Sequence, residues 1–212
     1  MASSEGRVGE VSLSDTNFAT ARIDRRGQLV VVGGGGGYQE SAWRGRTYSG
    51  ANQGPGGTTT TVALATTYTG LVLSNPAGSG VNLVINSVGI GVVGAPTALS
   101  SLGMFAGWTT AGLVTHTTPL IAHNNKWDST AGTNGTGLID SAATLPVAPL
   151  LIRSYGTIPI TGVTAQVVNA PVSGVIFDEQ GSIVLTAGAF AGIYTSTVLT
   201  IIAHFNWTEV PV

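Results

Sequence analysis

The chain has 212 residues, of which 8% carry a charge and 31 are glycine. This length suits one domain with an appendage, because single cores typically reach about 100–200 residues before a chain divides. The net charge of −2 argues against nucleic-acid binding, and the lack of cysteine excludes a disulfide scaffold and a thiolate metal site. Soluble monomers normally keep a charged surface, so the low charge predicts a surface that contacts other protein.

The first 46 residues contain most of the basic side chains, namely Arg7, Arg22, Arg25, Arg26, Arg44 and Arg46. Five acidic residues in the same stretch nearly balance them, so this is not a basic nucleic-acid-binding tail. Residues 1–20 lack the charged-then-apolar order of a signal peptide, and secretion is not expected. The stretch RIDRRGQLVVV, residues 22–32, predicts a short hairpin with Gly27 in its turn.

Five consecutive glycines follow, at residues 33–37. A dinucleotide-binding loop is not expected, because Tyr38 stands where the last glycine of that motif belongs. A phosphate-binding P-loop needs a lysine, and the only lysine is Lys126. We therefore interpret the run as a linker, and predict an N-terminal arm with a hairpin and Gly-rich linker over 1–57 and a body over 58–212.

The predicted body is rich in Val, Ile, Leu and Thr, with Gly and Asn-Pro breaks typical of strands and turns, as in residues 58–76 and 80–93. The same breaks argue against a membrane-spanning helix in the uncharged span 47–125. Helical periodicity is weak throughout. The pattern predicts an all-β, antiparallel β-sandwich.

Two C-terminal elements are predicted in more detail. The stretch VIFDEQGSIVL, residues 175–185, predicts a hairpin in which Asp178 starts the turn and Gly181 adopts a positive φ. Residues 193–207 alternate as one long strand with a single buried face, which includes Ile193, Phe205 and Trp207. Val198 and Ile202 indicate that the second face is partly covered as well.

Candidate reactive residues are few. His116, His123 and Asp128 fall close together in the sequence, but their spacing matches no standard metal site, and we interpret them as loop residues. His204 is predicted to be structural, and the pair Asp178-Glu179 is explained by its turn. No serine-hydrolase elbow is present. The chain is therefore predicted to be neither an enzyme nor a holder of a metal or cofactor.

Aromatic side chains could instead build a sugar-binding surface, although they are equally suited to core packing or subunit contacts. Trp127, in the stretch NNKWDST, is the most loop-like of them. It is the predicted ligand contact if the protein binds a glycan.

Three stretches carry a family resemblance: ARIDRRGQLVVV, RTYSGANQGPGGTTTT and the closing IIAHFNWTEVP. With the Thr/Gly/Val-rich body between them, the chain resembles accessory virion proteins of tailed bacteriophages. The resemblance implies a jelly-roll-like sandwich, a homotrimer, and an extended N-terminal arm that attaches to the capsid or tail. The chain differs from the major capsid proteins of such phages, which have a long helix, because its sequence predicts no comparable helix.

The expected function is that of a capsid decoration or cement protein, located in the virion and made in the host cytoplasm. Its expected partners are its own copies and the viral capsid or another virion protein, with no nucleic acid and no membrane. The predicted capsid-anchoring side chains are Arg22, Arg25, Arg26, Arg44 and Arg46. The alternative is a carbohydrate- or receptor-binding module of a phage tail or head fibre.

Overall fold

The computed structural model describes residues 38–52, 57–61, 64–93, 98–110, 112–127, 135–158 and 175–212. Residues Glu40–Val212 form one compact unit. The described residues contain one short helix, α1 (Gln39–Trp43), followed only by strands. In chain order these are β1 Thr47–Ala51, β2 Thr58–Thr59, β3 Thr67–Ser74, β4 Val81–Val92, β5 Ser100–Trp108, β6 Thr115–His116, β7 Pro119–Leu120, β8 His123–Asn124, β9 Leu138–Thr144, β10 Leu150–Ile158, β11 Val175–Leu185, β12 Ala189–Thr195 and β13 Thr200–Pro211.

The strands form two antiparallel sheets. The first has the order β11-β4-β13-β1-β8, with β2 also on β13, and the second has the order β10-β5-β12-β3-β9-β6, with β7 also on β9. Eight strands make the framework: β1, β3, β4, β5, β10, β11, β12 and β13. Within this set the first strand pairs with the last, the second with the seventh, the third with the sixth and the fourth with the fifth. This rolled-up pairing is the jelly-roll topology, which confirms the predicted fold class.

The core lies between the two sheets and is built from alternate residues of their strands. Phe205 and Trp207 of β13 and Ile193 of β12 are completely buried, as the period-two pattern predicts. Tyr48 stacks on Trp207 with ring centroids 6.0 Å apart. Burial of such large apolar side chains stabilises a fold by about 1.5–3 kcal/mol each.

Residues 193–207 do not form one strand, which corrects the prediction. The strand β12 ends at Thr195 in the second sheet, and β13 begins at Thr200 in the first. The four residues between them carry the chain across the sandwich, so the buried face continues although the strand does not. Val198 and Ile202 themselves are exposed, but the second face is partly covered as predicted, because His204 and Asn206 are half-buried and Thr208 is buried.

Residues Val175–Leu185 form a single strand rather than the predicted hairpin. Both halves pair with β4, with Asp178 opposite Ser87 and Ile183 opposite Ile85, so the intervening residues form a bulge. Gly181 has φ 73°, which confirms the predicted positive φ, and Gln180 has φ 50°. The strand β4 is 12 residues long, so it can pair with both sides of the turn. The prediction of the turn at Asp178 and Gly181 is confirmed. The prediction that the residues on either side of the turn pair with each other was wrong, because both pair with β4.

The sandwich includes residues that the sequence placed in the linker. The strand β1 pairs with β13 on one side and with β8 on the other. It therefore belongs to the first sheet, although it precedes the predicted boundary at residue 58. The extended arm, the predicted hairpin at residues 22–32 and the five glycines lie outside the described residues.

Several strand glycines face an aromatic ring on the neighbouring strand. Gly192 is opposite Phe105, Gly107 is opposite Phe190, and Gly89 is opposite His204. At each glycine a Cβ would fall inside van der Waals contact of that ring. These glycines therefore provide the space into which cross-strand aromatic side chains lie flat.

Candidate assembly surface

One edge of the sandwich is formed by β10 and β11, the terminal strands of their sheets. Within the described chain, β10 pairs only with β5 and β11 only with β4. Aliphatic side chains on both strands remain exposed, with Leu150 at 72% and Ile176 at 70%. The other exposed members are Leu151, Ile152, Val175 and Val184. We call this set the β10–β11 edge. Long apolar edge strands favour association with another chain, because their backbone groups and side chains lack a partner.

The buried charge between these two strands is paired within the chain. The Glu179 carboxylate is buried and accepts hydrogen bonds from Tyr155 Oη at 2.7 Å and from Arg153 Nε at 3.3 Å. Ser182 donates to the same carboxylate at 3.4 Å and receives Arg153 Nη2 at 3.2 Å. Burial, together with the hydrogen bond to and the charge of Glu179, raises the pKa of Tyr155 and keeps its hydroxyl a neutral donor. The buried charge is thereby paired, as stability requires.

The same contacts join the two sheets. Arg153 and Tyr155 belong to β10 of the second sheet, whereas Glu179 and Ser182 belong to β11 of the first. Tyr155 also stacks on Phe177 of β11, with ring centroids 3.9 Å apart and an angle of 10°. This edge is therefore held together by side chains rather than by a backbone ladder. Local sequence patterns could not predict these contacts, because the residues that meet across the two strands are 24–29 positions apart.

The opposite edge is formed by the short strands β6, β7 and β8 and the residues around them. It also exposes apolar side chains: Leu113, Ile121, Trp127 and Leu138. We call this set the β6–β8 edge. Trp127 is 78% exposed, and its ring stacks on His123 with centroids 6.2 Å apart. The predicted ligand contact is thus presented at the surface by a neighbouring ring.

His116 and His123, interpreted from the sequence as loop residues rather than metal ligands, lie on two short strands. His116 is on β6 of the second sheet, His123 is on β8 of the first, and Asp128 lies outside the described residues. Among the residues that the structure describes, no group of three His, Asp or Glu side chains could hold a metal. His116 instead pairs with Asp140 through its Nδ1.

Asp140 is the functional-looking residue that sequence reasoning missed. Its side chain is completely buried on β9. Burial raises the pKa of this carboxyl, and the hydrogen bond and charge of His116 oppose that rise. The adjacent Ile139 is also buried, so the alternation of buried and exposed residues along a strand could not predict that Asp140 is buried. The one signal in the sequence was the residue type, because a carboxylate is unusual in the middle of a strand.

A cavity of about 270 Å³ lies beside this pair and is lined by His116, Ser74, Asn75 and Leu138, among others. Ser74 donates its hydroxyl to the carbonyl oxygen of Leu138 at 3.4 Å. Its proton is thus directed to a backbone acceptor, whereas serine catalysis needs the hydroxyl to face the imidazole of a His–Asp pair. Most of the lining is apolar, as in a packing defect at the end of a sandwich.

The predicted anchoring arginines divide into two groups. Arg22, Arg25 and Arg26 lie outside the described residues. Arg44 is exposed and forms an ion pair with Glu40, one helical turn earlier, at 2.6 Å. Arg46 is exposed just before β1, and its carbonyl oxygen accepts the backbone N–H of Glu209 at 2.8 Å. Arg44 and Arg46 are therefore exposed at the surface, just before the first strand of the sandwich.

His204 lies on β13, where burial lowers the pKa of its imidazole. Its ring covers Gly89 on the neighbouring strand, which agrees with the structural role predicted for it.

No family model, curated protein or solved structure matches this chain. Among the described residues, no helix is long and apolar enough to cross a membrane.

Proposed function

We propose that this chain is a structural virion protein of the capsid decoration or cement type. In this proposal the jelly-roll body forms an oligomer, a trimer by the resemblance of the sequence, and the N-terminal arm attaches it to the particle. The observation that carries the proposal is the β10–β11 edge, where two strands that no other described strand covers expose aliphatic side chains while the buried Glu179 carboxylate between them is paired internally. Such an edge is suited to permanent contact with protein.

The energetics of the surface support an assembly role. Removing an unpaired ion from water costs several kcal/mol, whereas removing apolar surface is favourable by about 25 cal/mol per Å². Because only 8% of the residues in this chain are charged, few ions have to be removed from water when it packs against another protein. Homo-oligomers commonly use such apolar, charge-poor surfaces.

Attachment is assigned to the N-terminal region because its charges are clustered there. Arg22, Arg25 and Arg26 precede the glycine run, and Arg44 and Arg46 follow it at the exposed start of the sandwich. Contacts between such arginines and carboxylates on a partner weaken as salt rises, because exposed charges are screened.

A binding assay on shells of the encoding virus, assembled without this protein, tests the proposal. Full-length protein should bind in a saturable manner and be released progressively as salt rises. Protein lacking residues 1–37 should stay folded and fail to bind. Equal binding by both forms would show that the arm is not the anchor, and no binding by the full-length form would refute the decoration function.

A carbohydrate- or receptor-binding module is the second candidate, and the exposed Trp127 favours it. Its ring is held nearly parallel to His123, which leaves one face available for stacking on a sugar ring. A glycan array separates the two functions. Selective glycan binding that is lost in Trp127→Ala and kept in Trp43→Ala, another exposed tryptophan, would favour this second function.

A further inference from the structure

We infer that the cavity beside His116 and Asp140 is a binding site for a small neutral molecule with an apolar body and one hydroxyl group, such as an alkylphenol. The inference goes beyond the proposed function, because no step of that function uses a small molecule. It depends on the position of the cavity, its size and the polar side chains in its lining.

The cavity lies on the outer face of the second sheet. Leu73 and Ile139 belong to the core between the two sheets, so the adjacent Ser74 and Leu138, which line the cavity, lie on the opposite face. Val114 lines the cavity from the residues that lead into β6, and it packs against a second buried apolar cluster. The cavity is therefore placed between the sheet and this segment.

The lining joins the protein surface to a buried floor. Leu113 and Leu138 are exposed, whereas Ser74, Asn75 and Ala189 are buried. The volume is about 270 Å³. Since an apolar cavity of roughly 150 Å³ already binds benzene, this one has room for an aromatic ring with a short alkyl chain. A molecule of that size can reach the buried floor from the solvent side.

Apolar walls are also found in packing defects, so the polar side chains of the lining carry the argument. Asn75 donates its amide hydrogens to the carbonyl oxygens of Val81 at 2.8 Å and Leu185 at 2.9 Å. These two bonds fix the orientation of the amide. Its oxygen is buried and has no hydrogen-bond partner among the described residues. Buried acceptors without a partner are rare in proteins, because each one costs stability.

His116 supplies a second acceptor. Its Nδ1 pairs with Oδ2 of Asp140, which orients the ring. Because a carboxylate only accepts hydrogen bonds, Nδ1 carries the proton, and Nε2 of the neutral imidazole is an acceptor. No described residue bonds this nitrogen, and the side chain is 30% exposed. The Nε2 atom is therefore the acceptor that a ligand can reach.

These groups define the class of ligand. The third polar side chain, Ser74, already donates its hydrogen to Leu138, so the polar side chains of the lining offer acceptors and no free donor. Two acceptors disfavour a carboxylate, and apolar walls disfavour a cation because it would lose its hydration. A neutral hydroxyl group can donate to Nε2 of His116 while the apolar body fills the cavity.

Two probes of similar shape, para-propylphenol and propylbenzene, test the inference on the full-length protein. Ligand-detected NMR titrations are made at mildly alkaline pH, where imidazole side chains are ordinarily neutral. We expect saturable binding of para-propylphenol at one site per chain. Its affinity should exceed that of propylbenzene by about tenfold, as one net hydrogen bond provides.

Three variants locate the site. Val114→Phe fills the cavity and should abolish binding of both probes, whereas Val198→Phe, the same change at an exposed residue outside the lining, should leave both affinities unchanged. His116→Asn keeps a side-chain donor near Asp140 but has no Nε2. It should bind propylbenzene as the native protein does and lose the tenfold preference for the phenol. If Val114→Phe does not fold, the His116→Asn comparison decides.

The contrary outcomes are distinct. A lack of saturable binding by either probe, or binding that survives in folded Val114→Phe, would overturn the assignment of the cavity as a site. Equal affinities of the native protein for the two probes, or an unchanged preference in His116→Asn, would overturn the hydroxyl class and the role of His116. None of these results depends on binding to shells, so the decoration function is tested separately.

Discussion

Single glycines determine where aromatic side chains can lie in this sandwich. Phe105 is buried and covers Gly192 on the adjacent strand, in a space that a methyl group would occupy. Since protein interiors are close-packed, neither group can move aside without displacing others. The glycine content inside strands is therefore a packing requirement at these positions rather than a sign of a flexible chain.

We predict that Gly192→Ala lowers the free energy of unfolding by about 1–3 kcal/mol, because the added Cβ overpacks the core against the Phe105 ring. Differential scanning calorimetry should show a fall in Tm of roughly 2–4 °C per kcal/mol. Gly91→Ala is the control, since its Cβ would meet only the carbonyl oxygen of Ile202 at 3.6 Å. Equal melting temperatures for the two variants would contradict this account of the glycines.

The pair His116–Asp140, in which the carboxyl group is buried and the imidazole is partly exposed, gives a prediction with a pH dependence. Because burial raises the folded-state pKa of Asp140 above its ordinary value of about 4, its contribution to stability is largest below that value and declines as pH rises. The hydrogen bond and charge of His116 favour the ionised carboxylate and so reduce this loss of stability. His116→Ala should therefore destabilise the protein by about 1.5–3 kcal/mol at neutral pH, the usual range for a hydrogen bond to a charged group, and by progressively less toward pH 4.

Urea unfolding at several pH values measures this difference. Asp140→Asn removes the charge at almost constant shape, so His116→Ala should cost less in the Asp140→Asn background than in the native one. A loss that is independent of pH and of Asp140 would mean that His116 acts only through packing.

Among the elements, β11 shows how pairing overrides a local turn. Asp178 does cap the turn, accepting the backbone N–H of Gln180 at 3.1 Å, and Gly181 does take a positive φ. The residues on either side nevertheless pair with one long partner strand instead of with each other. The turn became a bulge because β4 offered continuous backbone donors and acceptors on both sides of it.

Gly181→Ala is predicted to destabilise the protein by about 1 kcal/mol, because a residue with a Cβ is strained at φ 73°. Thermal melting of Gly181→Ala and Gly181→Asn, compared with the native protein, tests this. Both variants add the same Cβ beside Val84, but Asn adopts positive φ more readily than Ala, so it should recover part of the loss. A larger loss for Asn than for Ala would show that contact with Val84, rather than φ, dominates.

For the molecule as a whole, the compact unit begins at Glu40 and includes β1 within its first sheet. The pairing of β1 with β13 sets a limit on how far the chain can be shortened from its N-terminus. The proposed anchor can therefore be removed without damage to the sandwich only upstream of that strand.

We therefore expect protein lacking residues 1–37 to unfold with the same Tm, within about 2 °C, as the full-length chain. Protein lacking residues 1–57 should lose stability by several kcal/mol, because it also loses the ladder between β1 and β13 and the stacking of Tyr48 on Trp207. Calorimetry on the three proteins decides this. Equal stability of both truncated forms would show that β1 is dispensable and would restore residue 58 as the start of the body.

The sequence by itself determined the fold class, the buried face of the C-terminal strands and the positive φ at Gly181. Each of these depends on residues close together in the chain: alternation of side chains along a strand, and turn residues with a fixed backbone preference. The same local information placed Trp127 at the surface. The jelly-roll topology was expected from the family resemblance and not from the alternation of side chains.

Only the tertiary structure decided which strand joins which sheet, where the chain crosses between sheets, and which edges remain apolar. It also decided the partners of Glu179 and Asp140, which come from strands distant in sequence. These features depend on pairing between residues up to 161 positions apart, such as Thr47 and Thr208, and period-two alternation is the same for every strand whatever its neighbour. Long-range pairing is therefore the information that the local pattern lacks and that the folded sandwich supplies.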